Sequence, residues 1–377
     1  MLRFKSFLTE AKKPSQAHTA NVSNDDKGKL HELLLAKYLH PKTDLPLHHR
    51  SESENPEHAG TPKQVHDKLK AKIGDAAYNE VDGHAKQTAE TIKKHLIKQG
   101  HLGGAGNHNV VDVHWTSNRD MPNKAGDHEK TTGHKDLNSN ADLIITTHNK
   151  AGHKVFHGVS AKYGSEDQPN FKNAGLSSLE KMAGHKPGTY TEIQKTHEDN
   201  MEKLGYKGSK IQRHLQYKEH KKILDAEKLA HKESGSKKPF TPKSKEAKMA
   251  HAAELASQEA RAQMARKHEQ GLSKLKDEEL RQHINQQVSP PTLHNHIVAH
   301  SHVQSSGQAK SIVHDAQHIA DDHLNQYTNL KIKKGNGISA EIIGTHKDTG
   351  KERVIAQQTF KASSGPHKGT AGAFKLR

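Results

Sequence analysis

The 377-residue chain has no cysteine, one tryptophan and few aromatic residues of any kind (4%), and only 31% of its residues are hydrophobic. Without cysteine there is neither a disulfide framework nor a thiolate metal site. Even with the 28 glycines added, the apolar share falls short of the roughly 45–50% usual for globular domains. One compact core with long solvated extensions suits such a chain better than two full cores, although the length alone would serve about two domains. No apolar run reaches the ~18–20 residues of a membrane span, so no membrane partner is expected. Negative charge is also in deficit: 59 Lys and Arg stand against 43 Asp and Glu, a formal charge of +16. That balance suits a polyanion partner such as nucleic acid, with a merely soluble surface as the plain alternative.

What is present is a change of periodicity. Residues 25–39, DDKGKLHELLLAKYL, place Leu30, Leu33, Leu34 and Tyr38 on one helical face, with Asp25 or Asp26 able to cap the start. Glu32 lies in this helix, off the apolar stripe. The proline-bearing residues 41–62 read as a loop. Residues 61–100 are helical again, with Gly74 and Gly83 as candidate breaks and Gly100 as a stop. Strand patterns follow: HNVVDVHW (108–115), then, after the polar loop 116–139, ADLIITTH (141–148) and HKVFHGVSAKY (153–163), joined by the turn signal NKAG. LSSLEKMAG (176–184) reads as a short helix, so 25–184 runs α, α, β, β, β, α, a mixed α/β core.

From 190 to 288 the pattern is helical and polar. Its part 245–287 lacks a sustained heptad, which predicts a solvated or loosely packed helix rather than a coiled coil. ESGSKKPFTPKS (233–244) reads as a linker. After Pro290 and Pro291 a helix is expected around 307–326, then a second β region over 330–363 whose last two strands meet at THKDTGKE. The chain therefore divides into a polar leader (1–24), a core (25–190), a basic helical extension or insertion (191–306), and a C-terminal helix with a β-hairpin region and basic tail (307–377).

The hairpin of 141–163 carries the chemistry. Asp142, at the start of a strand, offers the hard oxygen that Mg²⁺ prefers. Ser160 and Lys162 are two apart and share one strand face, while Ala161 turns the other way. A lysine there can orient a water and stabilise charge on a phosphate. A leading helix with Glu32, Asp142 opening one strand and Ser-Ala-Lys closing the next resembles the PD-(D/E)XK nuclease superfamily over residues 25–184. The resemblance implies a restriction-endonuclease-like α/β fold and hydrolysis of nucleic acid, DNA first, with Mg²⁺ or alternatively Mn²⁺. It implies Glu32 and Asp142 as metal ligands, a backbone carbonyl such as that of Ala161 or Val159 as another, and Lys162 as the catalytic lysine. Ser160 departs from the pattern, because the family has Glu or Asp there, and the missing carboxylate weakens the metal site. An Asp and a Lys at strand ends are also ordinary residues where a buried strand reaches water, and that reading stands beside the catalytic one.

Other residues have two readings each. Trp115 can stack on a base or close the core. His148, His153 and His157 flank the hairpin and can donate to phosphate, although 34 histidines put some there by chance. Backbone N–H groups of 175–178 can hold a phosphate, or Asn173 or Ser177 simply caps a helix. In LHNHIVAHSHV, His296 and His300 have helical spacing, while His294/His296 and His300/His302 have strand spacing. Zn²⁺ is not expected there; a surface that gains charge below about pH 6.5 is. The segment 359–377 reads as a cationic tail, and helices within 203–238 and 243–283 as contacts for a nucleic-acid backbone. The opening MLRFKSFLTEAKK is too charged for a secretory signal and reads as an amphipathic helix. It resembles the FxxFLxE starts of many tailed-phage proteins, which implies a phage protein in the host cytoplasm or the virion. Two alternatives to a nuclease remain: a non-catalytic DNA-binding protein that keeps the fold, and a virion structural or ejected protein with phage protein partners.

Overall fold

A computed structural model describes residues 23–40, 42, 45, 59–102, 110–116, 141–149, 151–164, 171–289, 295–303, 309–333, 335, 337–362, 365–367 and 369–377. The helix expected in the first thirteen residues lies outside them. The chain forms two compact units: Met1–Leu137 with Ala141–Ser165 and Val298–Val313, and Asn138–Asn140 with Glu166–Ile297 and His314–Arg377. Both mix helices with antiparallel strand pairing, the α+β class expected. Among the described residues no helix is long and apolar enough to cross a membrane.

The first unit opens with α1 (Asn24–Leu39). Neither aspartate caps it. Ser23 is the N-cap and accepts from the Asp26 N–H, while the Asp26 side chain returns to the Ser23 N–H, a reciprocal box that satisfies two end donors. Leu30, Leu33, Leu34, Leu35 and Leu39 are all fully buried, and each contributes about 1.5–3 kcal/mol relative to exposure. The second helix, α2 (Pro62–Lys98), starts on a Thr61/Gln64 box with Pro62 in its first turn. Gly74 breaks it with φ 78°, a left-handed conformation that costs glycine nothing, whereas Gly83 remains helical. The Tyr38 hydroxyl donates to the Asp82 carboxylate at 2.8 Å, and Lys93 Nζ donates to the Tyr38 carbonyl at 2.8 Å, tying the two helices together.

These helices accompany a sheet of β1 (Val110–Trp115), β2 (Leu143–His148), β3 (Lys154–Gly164), β5 (Asn295–Val303) and β6 (Ala309–Asp315), in the order β1-β2-β3-β5-β6. The first three form an antiparallel meander with Trp115 opposite Leu143 and Leu143 opposite Val159. Leu143 through Thr147 are buried without alternation, as befits a strand covered on both faces. The last two strands correct the expectation of helix around 307–326: residues 309–315 are strand, and only α8 (Ala316–Leu324) is helical.

In the second unit the order β4-β10-β9-β8-β7 joins β4 (Lys172–Ala174), β7 (Tyr327–Lys333), β8 (Ser339–His346), β9 (Glu352–Ala362) and β10 (Thr370–Leu376) in antiparallel pairs. Of the expected cationic tail, 359–362 therefore end β9 and 370–376 form a strand between β4 and β9. The helices are α3 (Leu176–Met182), α4 (Thr189–Lys203), α5 (Lys210–Glu233), α6 (Lys245–Leu272) and α7 (Asp277–Val288). Far from being loosely packed, α6 buries Ala247, Ala250, Ala253, Ala260, Met264 and Ala265. Its alanines meet Met201, Tyr206, Tyr217 and Leu224. Small side chains let the backbones approach, a packing stripe that hydropathy alone underrates.

Candidate active site

The turn between β2 and β3 is built by Asn149, whose Oδ1 accepts from the N–H groups of Ala151 (3.0 Å) and His153 (2.9 Å), with Gly152 at φ 80°. At the opposite end of this hairpin, Asp142 is held through its backbone. Its N–H donates to the Val159 carbonyl at 2.8 Å, and its carbonyl accepts from the Thr116 N–H at 2.9 Å. Its carboxylate is held as well: Oδ2 accepts from the Ala161 N–H at 3.0 Å and lies 3.7 Å from Lys162 Nζ. Both side chains keep partial access to solvent, 17% for Asp142 and 26% for Lys162. Ser160 is buried, and its Oγ has no hydrogen-bond partner among the described residues. An unsatisfied buried hydroxyl costs ~1–3 kcal/mol, a reason to look for a ligand beside it. The fold thus brings Asp142, Ser160, Ala161 and Lys162 together at one strand end.

Glu32 reaches the same sheet through a different contact. Its Oε2 accepts from Lys29 Nζ at 2.8 Å and from Trp115 Nε1 at 3.2 Å, while Lys29 Nζ sits 5.5 Å from the centre of the tryptophan ring. Trp115 is buried, which favours its core reading over base stacking. A second acidic residue, one of the two helix carboxylates (Glu80 and Glu90) that the sequence offers in place of Glu32, reaches β3. Glu80 of α2 accepts from the Tyr163 hydroxyl at 3.4 Å and pairs with Lys27 at 3.4 Å. Tyr163 follows Lys162 directly. Burial, then the charge and hydrogen bond of Glu80, push its phenol upward. His84 Nδ1 lies 3.3 Å from the same hydroxyl, and the His31 ring is 5.0 Å from the tyrosine ring. Burial, reinforced by His84 and His300, pulls His31 down to about 3, so it is neutral at any ordinary pH.

The donors at the hairpin end are hard oxygens. Mg²⁺ commonly takes one or two carboxylates and completes its shell with water and substrate phosphate. Asp142 and the Ser160 hydroxyl, without a partner among the described residues, fit that demand, and Glu32 fits it in chemistry while its Oε2 is engaged by Lys29 and Trp115. Among the described residues no three His, Asp or Glu side chains gather in a metal-binding group. Of the histidines of 294–303, His296 and His300 are buried in β5, the His300 and His302 rings lie 5.7 Å apart, and His294 lies outside the described residues. His157, too, is a core residue, bonded to Thr147 Oγ1 at 3.0 Å. At 175–178, Gly175 is the N-cap of α3, with no side-chain cap bond, so Ser177 is not the cap, and the side chain of Asn173 lies outside what the structure describes.

No protein-family model matches the chain, and no curated protein sequence does. In structure the chain is similar to the restriction endonuclease MspI in complex with its cognate DNA, with a TM-score of 0.31 and 12% identity over 80% of this chain and 82% of that one. What the hairpin end can do is set by its own geometry.

Proposed function

We propose that the first unit is a metal-dependent nuclease module that hydrolyses phosphodiester bonds of nucleic acid, DNA foremost, at the Asp142–Lys162 end of the hairpin. The observation that carries this reading is the carboxylate of Asp142, aimed by the Ala161 N–H and set 3.7 Å from the Lys162 ammonium. A preorganised anion beside a cation on two paired strands suits a site that must hold a hard ion and meet a phosphate. Asp142 and Ser160 would hold Mg²⁺, or Mn²⁺ in its place, with the Ala161 carbonyl and Glu32 as further oxygen donors. When bound, the ion supplies Lewis-acid polarisation of the scissile phosphate. Lys162 orients the attacking water and offsets charge building on the phosphate oxygens. The basic surface supports a polyanionic substrate, and the chain opening supports a phage origin, with action in the host cytoplasm or in association with the virion.

Ser160 in place of a carboxylate favours a second reading, a module that binds DNA without cutting it. Incubation with DNA and Mg²⁺ or Mn²⁺ decides between them. A nuclease cleaves, and Asp142→Asn and Lys162→Ala each lower turnover at least ~100-fold, the order expected when a positioned catalytic group is lost, with circular dichroism unchanged. Full activity in Asp142→Asn would sink the site. DNA retention without cleavage by the wild type would make the module a binder.

A further inference from the structure

The second unit holds a cluster that the nuclease reading does not use. The turn Gly365–Pro366–His367 lies against α4, α5 and Tyr206. The His367 ring sits 4.5 Å from the Tyr206 ring and 5.6 Å from Tyr217. Gly365 has φ 118°, and a Cβ there would meet the Tyr217 ring at 3.0 Å, so the turn approaches as closely as glycine allows. His197 of α4 anchors it, with Nε2 2.7 Å from the Pro366 carbonyl. Because a carbonyl only accepts, that contact fixes the proton on Nε2 and leaves Nδ1 as the bare nitrogen of the neutral ring. Three buried side chains here carry polar atoms with no hydrogen-bond partner among the described residues: His197 Nδ1, Arg213 Nε, and both ring nitrogens of His367. The three are only 4%, 7% and 6% exposed, respectively.

Such orphans are rare in folded proteins and call for a partner, and the chemistry of that partner can be read from its surroundings. Arg213 is permanently charged. From α4 the cluster is faced by His197, Glu198 and Glu202, from α5 by Lys210, Arg213, His214 and Tyr217, and from α6 by Arg261. The carboxylates are already engaged. Glu198 pairs with Lys210 at 3.1 Å, the largely exposed Glu202 takes Arg213 Nη1 at 3.2 Å, and Glu254 is shared by Tyr217, Lys221 and Lys228. What remains is the Arg213 Nε–H and the imidazole nitrogens, with no hydrogen-bond partner among the described residues. We infer that His197, Arg213 and His367 form an oxyanion-binding site that takes a phosphate group, as the inorganic ion or a terminal phosphomonoester. Arg213 Nε–H and one N–H of His367 donate directly, and His197 donates from Nδ1 once it is protonated. Burial, together with Arg213, His197 and His214, holds His367 down to about 4, and burial lowers His197. An anion reverses both effects, so binding takes up protons and strengthens as pH falls.

Sulfate stays a dianion from pH 7.5 to 5.5 and so reports the protein's own protons. Titrated into the full chain at constant ionic strength and followed by the ring ¹H–¹³C signals of His197 and His367, it should bind saturably and raise the pKa of both. Its affinity should rise about tenfold between those pH values, the change expected when binding takes up roughly half a proton on average over that range. Inorganic phosphate at pH 6 should compete with it. A 5′-phosphorylated oligonucleotide that competes where its dephosphorylated form does not assigns the site to nucleic-acid ends; equal failure of both assigns it to the free ion. Arg213→Met and His367→Phe, which keep bulk and ring packing, should each weaken binding at least tenfold, while Asp142→Asn should bind as the wild type does, keeping this outcome separate from the nuclease test. Non-saturating shifts in the wild type, or affinity that is the same at both pH values, would overturn the assignment without reference to any variant.

Discussion

Asp142 and Lys162 are close enough to pair, yet a partly exposed pair of this kind contributes only ~0–1 kcal/mol to stability. Their value lies in aim: the Ala161 N–H holds the carboxylate and the strand holds the lysine. Ser160 separates a structural role from a ligand role. As a buried hydroxyl with no partner among the described residues, it destabilises the fold in the absence of metal ion, so Ser160→Ala should raise the metal-free urea midpoint by an amount worth ~1 kcal/mol. If the hydroxyl also holds Mg²⁺, the same substitution should weaken Mg²⁺ binding in calorimetry. A variant that is more stable and binds the ion equally well would leave the oxygen donors to Asp142, Glu32 and the backbone. Glu32 is legible as a helix carboxylate, but its pairing with Trp115 Nε1 joins residues 83 apart in sequence, which no local pattern encodes.

Among the elements, α6 illustrates how size can outweigh hydropathy. Its alanines follow a helical stripe and fill the space between the other helices of the second unit. At Gly271 the approach is closer still, because a Cβ would collide with the Ala183 carbonyl and come within 2.9 Å of the Ala183 Cβ. Helix propensity alone would make Gly271→Ala stabilising by ~1 kcal/mol. The obstacle is backbone, which cannot swing aside, so the overpacking cost of ~1–3 kcal/mol should win. Urea denaturation should therefore find Gly271→Ala less stable than the wild type; a gain in stability would show that α3 and α6 separate easily. The exposed basic residues of α5 and α6 are partly spent within their own helices, with Lys222 on Glu219 and Arg266 on Glu259, so their share in DNA contact is smaller than their number indicates.

For the whole molecule, two charge effects follow. His31 is held down to about 3 and His283 to about 4, and His268 lies well below its usual range, in each case first by burial. Above about pH 6.5 these rings are neutral in the folded and unfolded chain alike and add no pH dependence. As pH falls below that value the unfolded chain takes up protons that the folded chain refuses, so stability drops until the folded values are reached. At pH 5 the loss is ~2 kcal/mol per histidine, and three together rival the ~5–15 kcal/mol of a whole domain. The urea midpoint should fall steeply from pH 6.5 to 4.5, and less steeply in His31→Phe; a flat profile would contradict the burial of these rings. The second effect is the formal charge of +16. DNA affinity should fall by ~10³-fold between 50 and 200 mM salt if about six phosphates are contacted, and a salt-independent interaction in filter binding would remove nucleic acid as the partner.

The amino-acid sequence by itself determined the parts whose information is local. Leucine spacing and Ser23-to-Asp26 capping chemistry specify α1, the Asn149–Gly152 turn and flanking β-rich runs specify the hairpin, and Gly74 specifies the break in α2. These decisions depend on residues within a few positions of one another, and the hairpin they build brings Asp142 beside Ala161, 19 residues on, and its neighbours Ser160 and Lys162. Tertiary structure alone decided what depends on distant partners. Residues 295–315 supply two strands to the first sheet, and the cationic segment 370–376 becomes an interior strand of the second, because each completes ladders opened far earlier in the chain. The same holds for the engagement of Glu32 by Trp115, the reach of Glu80 to Tyr163, and the gathering of His197, Arg213 and His367. A side chain's hydrogen-bond partner is chosen by packing in three dimensions, and residues so far apart carry no shared periodicity to announce it.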